Sequence, residues 1–189
     1  YGMSREDALY CVEKYRERFS VVGLFENELI EGTAGMLKTL KESGKTLVLA
    51  TSKPRPFVIK ILEKFELMAT AQEGIYEQMS QINEDGQKIQ VFKAPYGTLK
   101  SELSEYFSFI SAAEFDGTRN DKADVIKYAL ENAPNFKNPV MVGDRMHDCI
   151  GAKKNNIPCV GVSYGYAEEG ELEESGAIKI CDSIEELSE

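Results

Sequence analysis

Two carboxylates stand four residues apart directly after a short apolar run in the last third of the chain. Residues 139–142 form this run, which is Val-rich and does not alternate, as in a buried strand of a parallel sheet. Gly143 permits a sharp turn, and a helix starting near Met146 would let Asp144 and Asp148 point into one small volume. Mg²⁺ prefers one or two carboxylates together with substrate phosphate, so the pair is a candidate magnesium site. A strand-to-helix turn with an acidic cap is the alternative interpretation.

Two hydroxyls follow a second apolar run, at residues 46–50. Thr51 and Ser52 precede Pro54, and a proline in the first turn of a helix is favoured when a hydroxyl just before it caps that helix. The same geometry aims hydroxyls and free backbone N–H groups at any anion beside the strand end. Helix capping and phosphate binding therefore both account for Ser52.

A lysine lies in the first turn of a predicted helix that is the third candidate element. Asp121 and Lys122 begin a predicted helix whose buried stripe comprises Val125, Ile126, Ala129 and Leu130. A cation in the first helical turn opposes the helix macrodipole, although a solvated surface lysine is the simpler interpretation. Beside the two other strand-end sites, a phosphate-facing role for Lys122 becomes more attractive.

Strands and helices alternate after about residue 28, and this alternation predicts an α/β protein with a doubly wound parallel sheet. Such sheets bind ligands at the carboxyl ends of their strands, where the candidate residues lie. We predict helices over residues 34–43, 54–65, 121–132 and 146–155, and strands over residues 46–50, 107–112, 139–142, 158–162 and 178–181.

Two segments do not follow this alternation of strands and helices. The first is an opening amphipathic helix, with a capping box at Ser4–Asp7 and an apolar face that we expect to pack on another helix. The second is the polar stretch 68–105, which is long for a connection and contains a predicted hairpin around Asp85 and Gly86.

Composition limits the class of protein. The formal net charge of −10 argues against nucleic-acid binding, and no apolar run approaches the roughly 18 residues that cross a membrane. With 189 residues, the chain is long enough for one domain or a core with a small appendage. The four cysteines are scattered, which predicts reduced thiols in a cytoplasmic protein, with Cys149 as a small buried apolar residue.

In their order along the chain, these residues resemble the motifs of the haloacid dehalogenase superfamily of phosphohydrolases, specifically its phosphoglycolate-phosphatase-like branch. The family's second motif is an apolar strand ending in Thr or Ser, its third a helix-borne lysine, and its fourth Gly-Asp-x-x-x-Asp. These three are matched by residues 47–52, by Lys122, and by Gly143, Asp144 and Asp148. Residues 158–165 and 182–187 are similar to the family's last strands and terminal helix.

The resemblance implies a Rossmannoid core over residues 28–189, interrupted by an atypical insertion at 68–105, with residues 1–27 as the remnant of a helical cap. It also implies a Mg²⁺-dependent phosphatase acting on a small phosphorylated metabolite, such as phosphoglycolate or a nucleotide monophosphate. Thr51 or Ser52 would hydrogen-bond the phosphoryl group, and Lys122 would hold the phosphate and the nucleophilic carboxylate together. Asp144 would bind Mg²⁺, and Asp148 would support the metal directly or through water.

The chain departs from the family at its first motif, Asp-x-Asp-Gly-Thr, which would precede the cap. Residues 114–119 look like the tail of that motif with Glu in first place, but their position relative to Lys122 and Thr51 is wrong for the family, so we predict a turn there. The resemblance therefore predicts either a truncated chain or a catalytically inactive remnant that binds a phosphate ligand or a protein.

Without the strand that bears the first motif, we expect a gap in the sheet between the strands ending at Thr51 and Asp144. Such a gap would favour self-association, because unpaired strand edges recruit other strands. Residues 68–105 would either fill that gap or form a flexible surface insertion. His147, the only histidine, is expected at the surface or behind the metal site.

Overall fold

Helices and parallel strands alternate in the computed structural model, which describes residues 2–65, 77–82, 88–93, 106–133 and 136–188. The helices are α1 (Arg5–Phe19), α2 (Thr33–Glu42), α3 (Arg55–Lys64), α4 (Lys122–Asn132), α5 (Met146–Lys154) and α6 (Glu171–Glu174). The strands are β1 (Leu47–Pro54), β2 (Glu77–Ile82), β3 (Lys88–Lys93), β4 (Phe107–Ala113), β5 (Met141–Gly143), β6 (Cys159–Val162) and β7 (Lys179–Cys181). Short 3₁₀ turns cover Gly23–Phe25 and Glu185–Leu187. Within the described ranges, no helix has the length and apolarity to cross a membrane.

The strands that carry the candidate site are parallel, which confirms the α/β prediction. β1 pairs with β4, with Thr51 opposite Ala112, and β6 lies between β5 and β7. Among the described strands these form two separate parallel sheets, and β1 and β5 each keep one edge without a strand partner. The described part of the chain therefore contains the predicted interruption between the strands that bear Thr51 and Asp144.

Each parallel sheet has its own apolar core. Helices α2 and α3 cover the β1–β4 sheet through a cluster comprising Leu37, Val58, Ile59, Leu62, Ile110 and Ala112. Helices α4, α5 and α6 cover the other sheet through Ile126, Cys149, Ala152, Cys159 and Leu172. Helix α4 also contacts β1 and β4, so it lies between the two sheets and carries Lys122 at its first residue. Its predicted stripe is confirmed, with Val125, Ile126 and Ala129 buried.

Strands β2 and β3 pair antiparallel with each other, from Glu77 opposite Lys93 to Ile82 opposite Lys88, as the predicted hairpin requires. The predicted turn at Asp85 and Gly86 lies outside the described residues, as does the rest of the proposed insertion. Neither strand pairs with β1 or β5 among the described strands. The hypothesis that this hairpin fills the gap between them is therefore wrong for the part of the segment that is described.

Two local predictions differ from the structure. Ser4 caps α1 by accepting a hydrogen bond from the Asp7 amide at 3.1 Å, as predicted. The apolar face of this helix contacts α3 through Phe19 and Phe57, but no residue of α1 is buried, so the predicted packing on another helix is only partial. The second difference concerns the predicted helix cap at Ser52. Strand β1 continues to Pro54, and α3 begins at Arg55 with no side-chain cap. Ser52 is therefore a strand residue, and the predicted capping of the following helix is wrong.

Candidate functional site

Two residues near the carboxyl end of β1 carry hydroxyls. Thr51 is half-buried, and its Oγ1 accepts a hydrogen bond from the Lys53 amide at 3.2 Å, which fixes the side chain at the strand end. Ser52 is exposed. Strand alternation gives adjacent residues opposite directions, so the two hydroxyls cannot be equivalent in the site.

Lys122 lies across the interruption between the two sheets. Its Nζ donates a hydrogen bond to the Ala50 carbonyl of β1 at 3.0 Å and lies 2.7 Å from Oδ1 of Asp148. Asp121 caps α4 by accepting from the Ala123 amide at 2.8 Å, so the helix begins at the lysine. The lysine is thus an internal cation and not the solvated surface residue of the simpler interpretation.

Asp148 is a buried carboxylate whose two oxygens are both engaged. Its Oδ2 accepts hydrogen bonds from the amides of Asp144 and Arg145, each at 3.2 Å. Its Oδ1 faces the Lys122 ammonium in an ion pair, and makes no directed hydrogen bond within the described ranges. Asp148 therefore organises the loop after β5 and fixes the lysine, which favours an indirect role beside a metal.

Asp144 lies at the end of β5, and its Oδ2 accepts a hydrogen bond from the Tyr166 amide at 3.0 Å. Two glycines make room for the acidic pair. A Cβ on Gly165 would lie 2.2 Å from Cβ of Asp144, and one on Gly143 would lie 2.2 Å from Cβ of Asp148. Real Cβ contacts do not approach this closely, so both positions need glycine for space.

The loop that carries Asp144 has a further anchor, Glu171 at the start of α6. Its Oε1 accepts hydrogen bonds from Arg145 Nε at 2.8 Å and from the Met146 amide at 2.7 Å. Its Oε2 accepts from the Glu168 amide at 3.2 Å. The Arg145 hydrogen bond, followed by those two amides, lowers the pKa of Glu171 to about 2. Sequence reasoning missed this residue, because a glutamate in an acidic run is typical of a solvated surface.

One cavity of about 600 Å³ collects the five residues predicted from sequence, namely Thr51, Ser52, Lys122, Asp144 and Asp148. Helix α1 also lines this cavity, through Val12, Tyr15, Arg16 and Phe19. The apolar face of α1 thus lines the cavity. The exposed His147 also lies on the wall.

The donor set fits a magnesium ion that keeps most of its coordination for water and substrate. Within the described ranges, no three His, Cys, Asp or Glu side chains cluster as a metal site. Asp144 is half-buried on the cavity wall, whereas both oxygens of Asp148 are engaged elsewhere. Mg²⁺ dehydrates reluctantly and is commonly held by one or two carboxylates plus phosphate oxygens, so a single protein carboxylate is sufficient.

Residues 114–119 form the predicted turn. Asp116 accepts a hydrogen bond from the Thr118 amide at 2.8 Å, and the Glu114 amide donates to the Thr118 carbonyl at 3.0 Å. Glu114 pairs with the guanidinium of Arg119 and is not on the cavity wall. Cys149 is a free, buried thiol in the second core, as predicted.

Comparisons with known proteins agree on one family for this chain. The family model for haloacid dehalogenase-like hydrolases matches residues 4–156. A 5'-nucleotidase from Pseudomonas aeruginosa is 32% identical over 188 residues, covering 99% of this chain and 69% of that protein. The crystal structure of a predicted phosphatase from Clostridium acetobutylicum shares 35% identity and superposes with a TM-score of 0.73, covering 100% of this chain and 71% of that one.

A more distant relative has a different named activity. The tyrosine-protein kinase PtkA of Mycobacterium tuberculosis is 28% identical over 191 residues, and this chain spans 52% of its length. The family match extends over most of the chain and includes all three motif positions, which confirms the resemblance drawn from the sequence. The chain belongs to the haloacid dehalogenase-like hydrolase family.

Proposed function

We propose that this protein is a Mg²⁺-dependent phosphatase that hydrolyses a small phosphomonoester such as phosphoglycolate or a nucleotide monophosphate. Thr51, Ser52 and Lys122 bind the phosphate in this proposal, and Asp144 holds the metal with Asp148 behind it. The relatives named a 5'-nucleotidase and a phosphatase support the class of reaction.

The position of Lys122 is the observation that carries the proposal. Its ammonium is anchored to Ala50 O and Asp148 Oδ1, and it lines the same cavity as Thr51 and Asp144. Two fixed anchors leave the ammonium's remaining donor capacity for a ligand, since an ammonium has three N–H bonds. A hydroxyl, an ammonium and a carboxylate on one small wall match the needs of a phosphate dianion and its counter-cation.

In the net reaction a water oxygen becomes bonded to phosphorus, the ester P–O bond breaks, and the alcohol leaves with a proton. The chemistry asked of these residues in that reaction is positioning and charge neutralisation. Negative charge spreads over the three equatorial oxygens during phosphoryl transfer, and fixed donors that need no reorganisation stabilise it. Lys122 neutralises part of this charge, and the Thr51 hydroxyl orients one oxygen. When bound beside Asp144, Mg²⁺ supplies the remaining positive charge. Asp148 holds the Lys122 ammonium in place.

We also propose that residues 1–27 are a cap over this cavity and that residues 28–189 form the hydrolase core. Support comes from α1, whose Val12, Tyr15, Arg16 and Phe19 line the same cavity as Asp144. The cytoplasmic location expected from the cysteine pattern stays a prediction.

The test is phosphate release from p-nitrophenyl phosphate by this polypeptide, with Mg²⁺ and with excess EDTA. We expect turnover that EDTA abolishes and that Asp144→Ala lowers by at least about 100-fold, the scale of losing a principal charge stabiliser. Glu173→Ala, an exposed carboxylate on α6, is the matched control and should retain the rate.

A result without Mg²⁺-dependent turnover would overturn the proposal. Tight phosphate binding in the absence of any turnover would instead support the alternative function, a catalytically inactive module that binds a phosphate ligand or a protein.

A further inference from the structure

Two cations on the cavity wall have no task in the proposed phosphate site. Arg16 of α1 and Lys53 of β1 both line the cavity, and the Lys53 ammonium lies over the ring of Phe19, a residue of the same helix as Arg16. In the described part of the chain, neither lies within ion-pair distance of a carboxylate. Both contact aromatic rings, Arg16 at 5.9 Å from the centroid of Phe115 and Lys53 at 5.0 Å from the centroid of Phe19.

The other charges of the wall are matched within the protein or assigned to the phosphate and metal. Lys122 is paired with Asp148, and Arg145 is paired with Glu171. The carboxylate of Asp144 is the proposed metal ligand. Arg16 and Lys53 therefore leave this wall with uncompensated positive charge, although the whole chain has a net charge of −10.

We propose that Arg16 and Lys53 form a second anion-binding subsite, which selects phosphomonoesters that carry a further anionic group a few bonds from the phosphate. The proposal deepens the proposed function and rests on it. The planar guanidinium of Arg16 and the compact ammonium of Lys53 both bind carboxylates well. Lys53 lies on the same strand as Thr51, two residues after it.

Burial of Lys53 supports this assignment. The residue is half-buried, and burial lowers the pKa of its ammonium from the ordinary value. A partly desolvated cation without a counter-ion is unfavourable, and a bound anion restores the lost interaction. The positions of Arg16 and Lys53 on the cavity wall do not depend on this change in the pKa of Lys53.

The aromatic contacts favour a second anion over a nucleobase at this place. Phe19 is stacked on Tyr15 with centroids 5.0 Å apart, and meets Phe57 edge-on at 5.4 Å. The Lys53 ammonium lies over the same ring. Phe19 is thus occupied by the protein itself, and a base would have to displace one of these partners to stack there.

The experiment is calorimetric titration of this polypeptide with phosphoglycolate and with ethyl phosphate, in excess EDTA so that the proposed Mg²⁺-dependent turnover consumes neither ester. The two esters are nearly isosteric and differ by a carboxylate in place of a methyl group. We expect phosphoglycolate to bind at least about tenfold more tightly, as one charge-assisted contact predicts. The double variant Arg16→Gln/Lys53→Gln should lower this ratio to about threefold or less, while the affinity for ethyl phosphate changes by less than about twofold.

Two further variants isolate the subsite. Lys14→Gln removes an exposed lysine of α1 that pairs with Glu17 and is not on the wall, and should keep the full ratio. Lys53→Arg keeps the charge and should retain most of the preference.

Equal affinities in the unaltered chain, a ratio that the double variant leaves unchanged, or no binding of either ester would each overturn the inference. Turnover of p-nitrophenyl phosphate reports separately on the proposed function. If turnover is absent while the affinity ratio follows Arg16 and Lys53, the phosphatase proposal fails and the anion subsite stands.

Discussion

The Nζ of Lys122 and Oδ1 of Asp148 lie 2.7 Å apart, and the two side chains are only 15% and 7% exposed. The same ammonium donates to the Ala50 carbonyl of β1. Because β1 and β5 belong to different sheets in the described part of the chain, this lysine is a polar link between the element that bears Thr51 and the element that bears Asp144. Stability and ligand binding should therefore depend on the same pair.

Lys122→Met should destabilise the fold by about 3 kcal/mol, because it leaves the buried Asp148 carboxylate without its counter-ion. Lys127→Met, on the exposed side of α4, should cost less than about 0.5 kcal/mol. Urea unfolding measures both. Adding Asp148→Asn to Lys122→Met should recover part of the loss, since it removes the unpaired charge. Strictly additive losses in this double-mutant cycle would argue against direct coupling of the two residues.

Gly165→Ala should lower phosphatase activity by about 100-fold, because a displacement of about 1 Å in a catalytic group has this scale of effect. The new Cβ would lie 2.2 Å from Cβ of Asp144, so the carboxylate or the loop must move. Gly35→Ala is the control, since a Cβ at Gly35 in α2 would meet nothing within 4 Å. It should leave the rate unchanged and stabilise the helix by up to about 1 kcal/mol. Equal rates in the two variants would remove the spatial argument for Asp144.

Glu171 should make stability depend on pH in the acid range. Its pKa is about 2 in the folded protein, below the ordinary value of 4.5, because Arg145 and two backbone amides bind the carboxylate. The unfolded chain therefore takes up a proton first as the pH falls. The contribution of Glu171 is complete above about pH 4.5 and is lost as the pH falls towards 2.

Unfolding of the unaltered chain and of Glu171→Gln, measured from pH 7 down to pH 3, checks this sign. The variant should be the less stable protein at pH 7, and the difference should shrink steadily below pH 4.5. Glu173→Gln on the same short helix should show no such trend. A stability difference that grows as the solution is acidified would contradict the assigned role of Arg145.

The free edges of β1 and β5 should promote association of this polypeptide, since unpaired N–H and C=O groups template strand pairing. Val142 of β5 is 46% exposed, and Val142→Lys should reduce the associated fraction by placing a charge at the edge. Val21→Lys, at a residue outside the strands, should leave it unchanged. A monomer at all concentrations in light scattering, together with a sharp cooperative melt in thermal unfolding, would refute the expected association.

Much of the architecture was predictable because it depends on local signals. Periodicity located α4 and its buried stripe, and short apolar runs located β1 and β5, although β5 begins two residues later than predicted, at Met141. The rule that parallel sheets bind ligands at strand carboxyl ends was enough to expect Thr51, Lys122 and Asp144 at one place. Their roles in binding stay a prediction.

The missed features depend on contacts between distant residues. Arg145 and Glu171 are 26 positions apart, and nothing local distinguishes that glutamate from its acidic neighbours. The space requirement at Gly165 arises from Asp144, 21 positions earlier, so no local pattern indicates it. Helical periodicity identified the apolar face of α1 but not what it faces. The misplaced cap at Ser52 arose because β1 extends through Pro54, and Pro56 lies in the first turn of α3.

The most direct measurement is a crystal structure of this polypeptide soaked with tungstate, a phosphate mimic, and Mn²⁺, a substitute for Mg²⁺ with a strong anomalous signal. The account predicts a tungstate ion within hydrogen-bond distance of Thr51 Oγ1 and Lys122 Nζ, and a manganese ion bound to the carboxylate of Asp144. Tungstate bound away from the Thr51 and Lys122 wall, or Mn²⁺ that does not contact Asp144, would contradict it.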